Sequence, residues 1–439
     1  MIGTSRFARS RAYVWGFVDQ AFSSATNFGL TVLAGRALGP GGLGVVVIAF
    51  AIYVLIVAFQ RALLTDPLVS SSAALGSDDR LLAIRRGLTV DLFGAMGATL
   101  LLVVLGTTIG GHAGRGLLII APWLLPALVQ DFWRAILFQE RRAAAAAAND
   151  ACWAAVMVLT APLAWLIDTD WAIAASWGSG ALAGALLGFA QTRARPEPPL
   201  QAFSWWRARL WPFGRWLGLD GMVNAVASSA TVFLLNGVLG AKGLGGLRAA
   251  QSLFAPLSLL LPAISLPGLP SIARRLAVSP RGAIGLAVRL SVSVSVLAAL
   301  YGAAMVVLGG NLIELLFGTS FSAYADLALP ISVWQGVTGL SVGFTLFLTA
   351  QQRGRALLLI GIAGSVGSVA FISLLAWADG VTGAAWGYSL YAAGATALAA
   401  GLALRSYRLT VRAEADRPQP ADASVTDALS ATMSPRKQA

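Results

Sequence analysis

The sequence is poor in charge and in the residues that build metal, redox and catalytic sites. Charged side chains make up 11 % of its 439 residues, and it contains one cysteine and one histidine. A lone Cys152 excludes an intrachain disulfide, and His112 has no histidine or cysteine partner for a metal site. The sequence also lacks a dense carboxylate cluster and a phosphate-binding Gly-x-x-x-x-Gly-Lys-Ser/Thr loop. We therefore expect no enzyme activity, no ATP hydrolysis, no metal and no cofactor.

Apolar sequence is what the chain has in abundance. Hydrophobic residues make up 57 % of it, and the charged fraction is less than half of the roughly 25 % found in soluble domains. The apolar residues form stretches of about 20 residues, the length that spans a bilayer as a helix. These stretches lie at about 13–37, 43–65, 88–109, 115–139, 143–167, 171–191, 215–239, 246–270, 283–308, 325–350, 356–378 and 382–405. They predict an all-α polytopic membrane protein with about 12 transmembrane helices.

The cationic residues are unevenly distributed over the loops between these stretches. Arginine-rich segments alternate with loops and adjoining span ends that hold only Arg36, Arg115, Lys242 and Arg248. Because cytoplasmic loops of membrane proteins carry an excess of Lys and Arg, the arginine-rich side is predicted to be cytoplasmic. Both termini then lie in the cytoplasm of a protein of the plasma or inner membrane. The net charge of +12 is thus a topology signal, and we expect no nucleic-acid partner.

The second half of the chain repeats the first at a constant spacing. Asp220 follows Asp19 by 201 residues, and a polar stripe and a glycine turn recur at the same spacing. The other matched pairs are Trp15 with Trp216, Ser23 with Asn224, Asn27 with Ser228, Gly39 with Gly240, and Gly42-Leu43-Gly44 with Gly243-Leu244-Gly245. Six helices in each half give both halves the same orientation, which predicts two lobes related by a pseudo-twofold axis along the membrane normal.

Composition divides the chain into four parts. We predict an N-terminal lobe at 1–192 (helices 1–6), a cytoplasmic interfacial linker at 193–214, a C-terminal lobe at 215–405 (helices 7–12) and a disordered cytoplasmic tail at 406–439. In the linker, Trp205 and Trp206 are flanked by arginines, a composition typical of segments that lie on the membrane surface. The tail is rich in Ala, Pro, Ser and charge, which favours disorder.

Several short motifs in the first half carry a family resemblance. They are Asp19-Gln20, Asn27, Ala34-Gly35-Arg36-Ala37-Leu38-Gly39-Pro40, Leu43-Gly44, Gln60-Arg61 and Thr65-Asp66-Pro67-Leu68. With them the chain resembles polysaccharide-biosynthesis exporters of the O-antigen flippase type, in the multidrug/oligosaccharidyl-lipid/polysaccharide flippase superfamily. The resemblance implies two six-helix lobes around a central cavity, faced by the first two helices of each lobe. It also implies transport of a polyprenyl-pyrophosphate-linked glycan from the inner to the outer leaflet by alternating access.

Two arginines within the predicted spans are the candidate phosphate ligands. Arginine binds phosphate through two parallel hydrogen bonds and keeps its charge when it is desolvated. Arg61 and Arg134 are the candidates, since a charge inside a span costs roughly 2.5–3.5 kcal/mol and needs a reason to be there. Each also has a simpler interpretation: Arg61 can reach the lipid headgroups, and Arg134 can form a helical ion pair with Asp131.

The repeated polar stripe supplies the remaining candidates. Ser23, Asn27, Asn224 and Ser228 are predicted to line the cavity, because polar groups in a span need protein or water as partners. The matched acids Asp19 and Asp220 are candidates for coupling to H⁺ or Na⁺, or for gating. The alternative for both acids is that they stabilise the first turn of a helix.

Two prolines in the eighth span, Pro256 and Pro262, suggest a bent helix that acts as a hinge for alternating access.

Three other functions stay open: a multidrug-extrusion secondary transporter, a membrane glycosyltransferase or ligase, and a non-transporting scaffold. The scaffold would bind other polysaccharide-assembly proteins. A glycosyltransferase would need a large external loop or an acidic motif, which the sequence lacks.

Overall fold

The computed structural model describes residues 3–72, 75–217 and 219–415, without the side chains of 3–21, 23, 216–217, 219–220, 258–266 and 413–415. All regular structure in these ranges is helical. The helices are α1 Gly3–Gln60, α2 Asp66–Ser72, α3 Ser77–Ile109, α4 Gly111–Gln139, α5 Ala143–Ile167, α6 Asp170–Thr192, α7 Pro199–Arg209, α8 Trp211–Leu217, α9 Leu219–Ser252, α10 Ala255–Leu276, α11 Pro280–Phe317, α12 Ala328–Ala350 and α13 Gly354–Ala415. A π-helical turn, Arg61–Thr65, joins α1 to α2, and a 3₁₀ segment, Thr319–Leu327, precedes α12.

Sharp kinks divide three of these helices into pairs of membrane-crossing segments. Gly39 and Gly240 have φ angles of 66° and 68°, and residues 379–380 also leave the helical conformation. Glycine adopts such left-handed angles without steric penalty. Nine helices in the described ranges are long and apolar enough to cross a membrane. When the kinked helices are divided and α10 is joined to the end of α9, twelve crossings result, as the apolar stretches predict.

The crossings form two lobes. In the N-terminal lobe α4, α5 and α6 pack on α1 and α3 packs on α4, and in the C-terminal lobe α11, α12 and α13 pack on one another and on α9. The two lobes meet mainly where α1 contacts α9. Small residues let the helices of the N-terminal lobe approach closely: Gly180, Gly184 and Gly188 of α6 lie against Trp153, Gln130 and Trp133. The three glycines are spaced four residues apart, which places them on one face of α6, the face that makes these contacts.

Two boundaries differ from those suggested by composition. The linker forms two helices, and α8 ends at Leu217 rather than at 214. Helix α13 continues through residues 406–415, which we expected to belong to the tail. These residues are held in place because Ser406 donates a hydrogen bond to Gln351, and Gln351 donates one to Thr410. Residues 416–439, the remainder of the predicted tail, lie outside the described residues.

Candidate functional site

Four adjoining cavities lie within and between the lobes. The N-lobe cavity has a volume of about 240 Å³ and contains Arg61 and Arg134, and the C-lobe cavity of about 300 Å³ contains Arg248. Two interlobe cavities of about 260 and 290 Å³ lie between them. Asn27 lines the N-lobe cavity and both interlobe cavities, and Arg248 lines the C-lobe cavity and both interlobe cavities. A polar path therefore runs from one lobe to the other past these two side chains.

Two arginine–carboxylate pairs form the wall of the N-lobe cavity. The guanidinium of Arg61 binds Asp131 through two hydrogen bonds, one of which joins Nε to Oδ2 at 2.8 Å. Arg134 Nε lies 3.3 Å from Asp150 Oδ2, and its guanidinium also lies over the ring of Phe138. Asp131 and Asp150 are buried, whereas both arginines keep an accessible surface. The two positive and two negative charges of this cluster balance each other.

Neutral side chains behind the cluster hold the Asp150 carboxylate in place. Gln130 Nε2 donates to Asp150 Oδ1 at 2.8 Å and to Asn149 Oδ1 at 3.0 Å. Asn149 in turn donates to the backbone carbonyl of Gly184 at 2.8 Å. Because buried polar groups are costly when they lack partners, this network holds α4, α5 and α6 in one arrangement. The Asp150 carboxylate is therefore held by Gln130 as well as by Arg134.

A separate polar contact lies next to Arg61. Gln60 Nε2 donates to Asp91 Oδ1 at 2.6 Å and to the backbone carbonyl of Leu128 at 2.8 Å. Asp91 is buried on α3. The side chain of Gln60 thus joins three helices one residue before the arginine that faces the cavity.

Arg248 is the cationic group of the C-lobe cavity. Its side chain is exposed, and it lies among polar and aromatic groups that include Gln251, Trp334 and Tyr388. Within the described part of the chain, no acidic side chain pairs with it. Arg248 therefore differs from Arg61 and Arg134, whose charges are matched by carboxylates.

Sequence reasoning placed Arg248 in a short loop on the arginine-poor side, and the structure does not. Helix α9 resumes directly after the kink at Gly240, which puts Arg248 about two turns inside the membrane segment. The internal repeat could have predicted that Arg248 lies inside a membrane segment, because its counterpart in the first half lies within the predicted span 43–65. The counterpart of Arg248 at a spacing of 201 residues is Val47, which lines the C-lobe cavity and one interlobe cavity.

The structure brings together several of the residues of the polar stripes. Asn27 is exposed to the cavities, and Asn224 and Ser228 line the C-lobe cavity. Pro256 lies in the first turn of α10, just after the interruption between α9 and α10. The backbone of Asp19, Ser23, Asp220 and Pro262 is helical, but their side chains lie outside the described part of the structure.

Many secondary transporters are built from two helical repeats that meet at a central site, the arrangement seen here. No protein-family model matches the sequence, and no curated protein matches it. Among solved structures, the lipid II flippase MurJ in an inward closed conformation has a TM-score of 0.71 at 11 % identity, covering 95 % of this chain and 96 % of that one. An inward-facing multidrug resistance MATE family transporter of the MOP superfamily has a TM-score of 0.70 at 13 % identity, covering 88 % and 95 %.

A third comparison concerns the conformation of the lobes. An outward-facing multidrug resistance MATE family transporter of the MOP superfamily has a TM-score of 0.54 at 15 % identity, covering 92 % of this chain and 96 % of that one. The two inward structures are therefore more similar to this chain than the outward one. These likenesses show that the chain has the fold of these transporters, which is the fold that the resemblance in the sequence motifs implies. The similar structures are transporters and not enzymes.

Proposed function

We propose that this protein moves a lipid-linked oligosaccharide across the plasma membrane, for cell-surface polysaccharide biosynthesis. The observation that carries the proposal is Arg248, a cation between the lobes without an acidic partner in the described residues. An unpaired arginine in a membrane segment costs several kcal/mol unless it meets water or an anion. A pyrophosphate group offers the oxygens that an arginine binds best. The substrate class is therefore a polyprenyl-pyrophosphate-linked glycan.

Arg61 and Arg134 act as a second station for the phosphates. In the present conformation their charges are neutralised by Asp131 and Asp150, so a phosphate must displace a carboxylate before it binds there. Arg248 needs no such exchange and is the first contact. Asn27 lies along the path between the two stations, and movement of the lobes passes the head group from one to the other.

The closed end of the structure agrees with an inward-facing state. The lobes touch at the arginine-poor end, where Gly44 meets Ala241, so the cavities are sealed on the side that we infer to be external. The protein then takes its substrate from the cytoplasmic leaflet and releases it outside. Asp19 and Asp220 are the proposed groups for coupling to H⁺ or Na⁺, and other polysaccharide-assembly proteins supply the substrate.

A multidrug transporter is the second candidate, and one observation favours it. Aromatic rings line both lobe cavities: Tyr53, Trp153 and Trp177 in the N-lobe, and Trp334, Tyr388 and Tyr391 in the C-lobe. Such rings bind organic cations through their faces. A cationic drug is repelled by Arg248, however, whereas an anionic substrate is attracted. The two functions therefore predict opposite effects of removing this charge.

Binding to the purified protein tests the proposal. We expect a polyprenyl-pyrophosphate-linked oligosaccharide to bind the wild type, Arg248→Lys to bind it more weakly, and Arg248→Gln to lose about tenfold or more in affinity, as for a charged hydrogen bond. Arg289→Gln is the matched control, because Arg289 is exposed on α11 and lines none of the four cavities. Tighter binding of an organic cation by Arg248→Gln, with no binding of the lipid-linked sugar by the wild type, would instead establish the multidrug function.

A further inference from the structure

The linker helices α7 and α8 lie against the end of the helix that carries Arg61. That helix does not end as a regular α-helix: residues 61–65 form a π-helical turn, in which the backbone N–H of Asp66 donates to the carbonyl of Arg61. Single π turns are rare in proteins as a whole, but those that occur are often found at functional sites. Arg61 is the first residue of this turn, and its side chain is the one that binds Asp131 in the N-lobe cavity.

A proline explains why this turn needs a partner from elsewhere in the chain. The N–H of residue 67 would donate to the carbonyl of Leu63 in a regular α-helix, and to that of Ala62 in the register of the π turn. Residue 67 is proline, which has no N–H. The indole Nε1 of Trp206 donates to the Leu63 carbonyl at 3.0 Å. The linker therefore donates a hydrogen bond to a backbone carbonyl of the turn at the place where the proline removes a backbone donor.

The linker is also fixed so that this bond is held in one place. Gly214 of α8 packs so closely on the turn that a Cβ atom there would lie 2.8 Å from Pro67 Cγ and 3.1 Å from the carbonyl oxygen of Ala62. On the other side of α7, Glu197 forms an ion pair with Arg85 of α3 at 2.8 Å. The linker thus contacts α3 at one end and the π turn at the other.

We propose that Trp206 is a positioning residue, which holds the π turn and thereby aims Arg61 at Asp131 in the N-lobe cavity. It touches neither the cavity nor the ion pair and acts through the backbone of Leu63. Its effect on transport rests on the proposed function, in which Arg61 is a phosphate ligand. Its effect on the π turn does not.

Phenylalanine substitutions test the proposal, because they keep an aromatic ring and remove the indole donor. Trp205→Phe is the matched control, because Trp205 is the neighbouring residue on α7 and, like Trp206, is partly buried. Within the described residues its indole makes no hydrogen bond. Trp206→Phe should raise hydrogen exchange of the backbone amides of residues 61–66 by about fivefold, the factor expected for one hydrogen bond. Trp205→Phe should leave this exchange within about twofold of the wild type.

A second substitution provides a rescue. Pro67→Ala restores an N–H that can donate to the Leu63 carbonyl, so adding Trp206→Phe to Pro67→Ala should change exchange and transport little relative to Pro67→Ala alone. In the wild-type background, Trp206→Phe should lower transport of the lipid-linked oligosaccharide about fivefold, with the protein level unchanged.

Three outcomes decide the question. The assignment of Trp206 as the residue that holds the π turn is overturned by either of two results. One is unchanged hydrogen exchange in Trp206→Phe. The other is an increase in exchange that is as large in the Pro67→Ala background as in the wild type. Faster exchange with transport equal to that of Trp205→Phe overturns its positioning role for Arg61. Faster exchange in Trp206→Phe that is absent in the Pro67→Ala background supports the assignment. It does so even if the wild-type protein moves no lipid-linked sugar, because absence of transport contradicts only the proposed function.

Discussion

Gly44 and Gly245 meet backbone to backbone across the interface between the lobes. A Cβ atom on Gly245 would lie 2.8 Å from the amide nitrogen of Gly44 and 1.9 Å from the carbonyl oxygen of Pro40. A Cβ atom on Gly44 would lie 1.9 Å from the carbonyl oxygen of Ala241. The two contacts are equivalent, because the repeat spacing of 201 residues relates Pro40 to Ala241 and Gly44 to Gly245. Only glycine allows the lobes to close in this way at the arginine-poor end.

Substituting Gly44 with alanine should open that end of the protein. The added methyl group needs about 1.5 Å more room, since carbon and carbonyl oxygen approach to about 3.3 Å, and the lobes must separate to provide it. We expect a reporter cysteine at position 47, in a Cys152→Ser background, to react with a membrane-impermeant thiol reagent from the arginine-poor side. Gly41→Ala is the control, because a Cβ atom at Gly41 meets no other atom within 4 Å. Equal labelling of the two variants would show that the glycine contact does not seal the cavity.

The Arg61–Asp131 pair should show strong thermodynamic coupling. Arg61→Gln leaves the buried Asp131 carboxylate without its partner, and Asp131→Asn leaves Arg61 without its partner in the N-lobe cavity. Removing one member of a buried pair costs about 3–5 kcal/mol, and we expect about 2 kcal/mol here because the arginine side chain is 43 % exposed. The double variant should recover much of that loss. Thermal unfolding of the four proteins in detergent measures this cycle, and additive losses would mean that the two groups act independently.

The break between α9 and α10 should be required for transport and not for binding. Pro256 cannot donate a backbone hydrogen bond to Ser252, and the hydroxyl of Tyr301 donates to the Leu253 carbonyl within the break at 2.7 Å. Pro256→Ala restores the missing donor and favours a continuous helix. We expect transport to slow by about fivefold while substrate affinity stays within about twofold.

Pro280→Ala provides the comparison for this hinge, because Pro280 also lies in the first turn of a helix, α11, but follows an ordinary Ser279 cap. Transport rates and equilibrium binding measured on both variants separate the two effects. An unchanged rate in Pro256→Ala would show that the break is not a hinge.

Hydropathy and the internal repeat predicted the architecture, because each depends on patterns spread over many residues. A membrane helix must bury its backbone polar groups within itself, so length and apolarity suffice to locate it. The repeat placed the glycine turns of both halves correctly, and the kinks at Gly39 and Gly240 have φ angles of 66° and 68°.

The charges inside the lobes were beyond such patterns. The sequence brought Asp131 to Arg134 as near neighbours on one helix, whereas Asp131 binds Arg61 of another helix and Arg134 lies against Asp150. These pairs form between residues far apart in the chain, and only the packing of α4 on α1 and α5 creates them. Arg248 was assigned to the arginine-poor loops because it lies at the start of the predicted span 246–270, whereas the helix resumes directly after Gly240.

Translocation in sealed liposomes is the direct test of whether the protein moves a lipid-linked sugar and whether Arg248 is required. Reconstituted wild-type protein should move a fluorescent polyprenyl-pyrophosphate-linked oligosaccharide from one leaflet to the other, as read by the fraction that a membrane-impermeant quencher reaches. Arg248→Gln should slow this movement by about tenfold or more, and Arg289→Gln should not. Equal rates in Arg248→Gln and wild type, or movement no faster than in protein-free liposomes, would contradict the account.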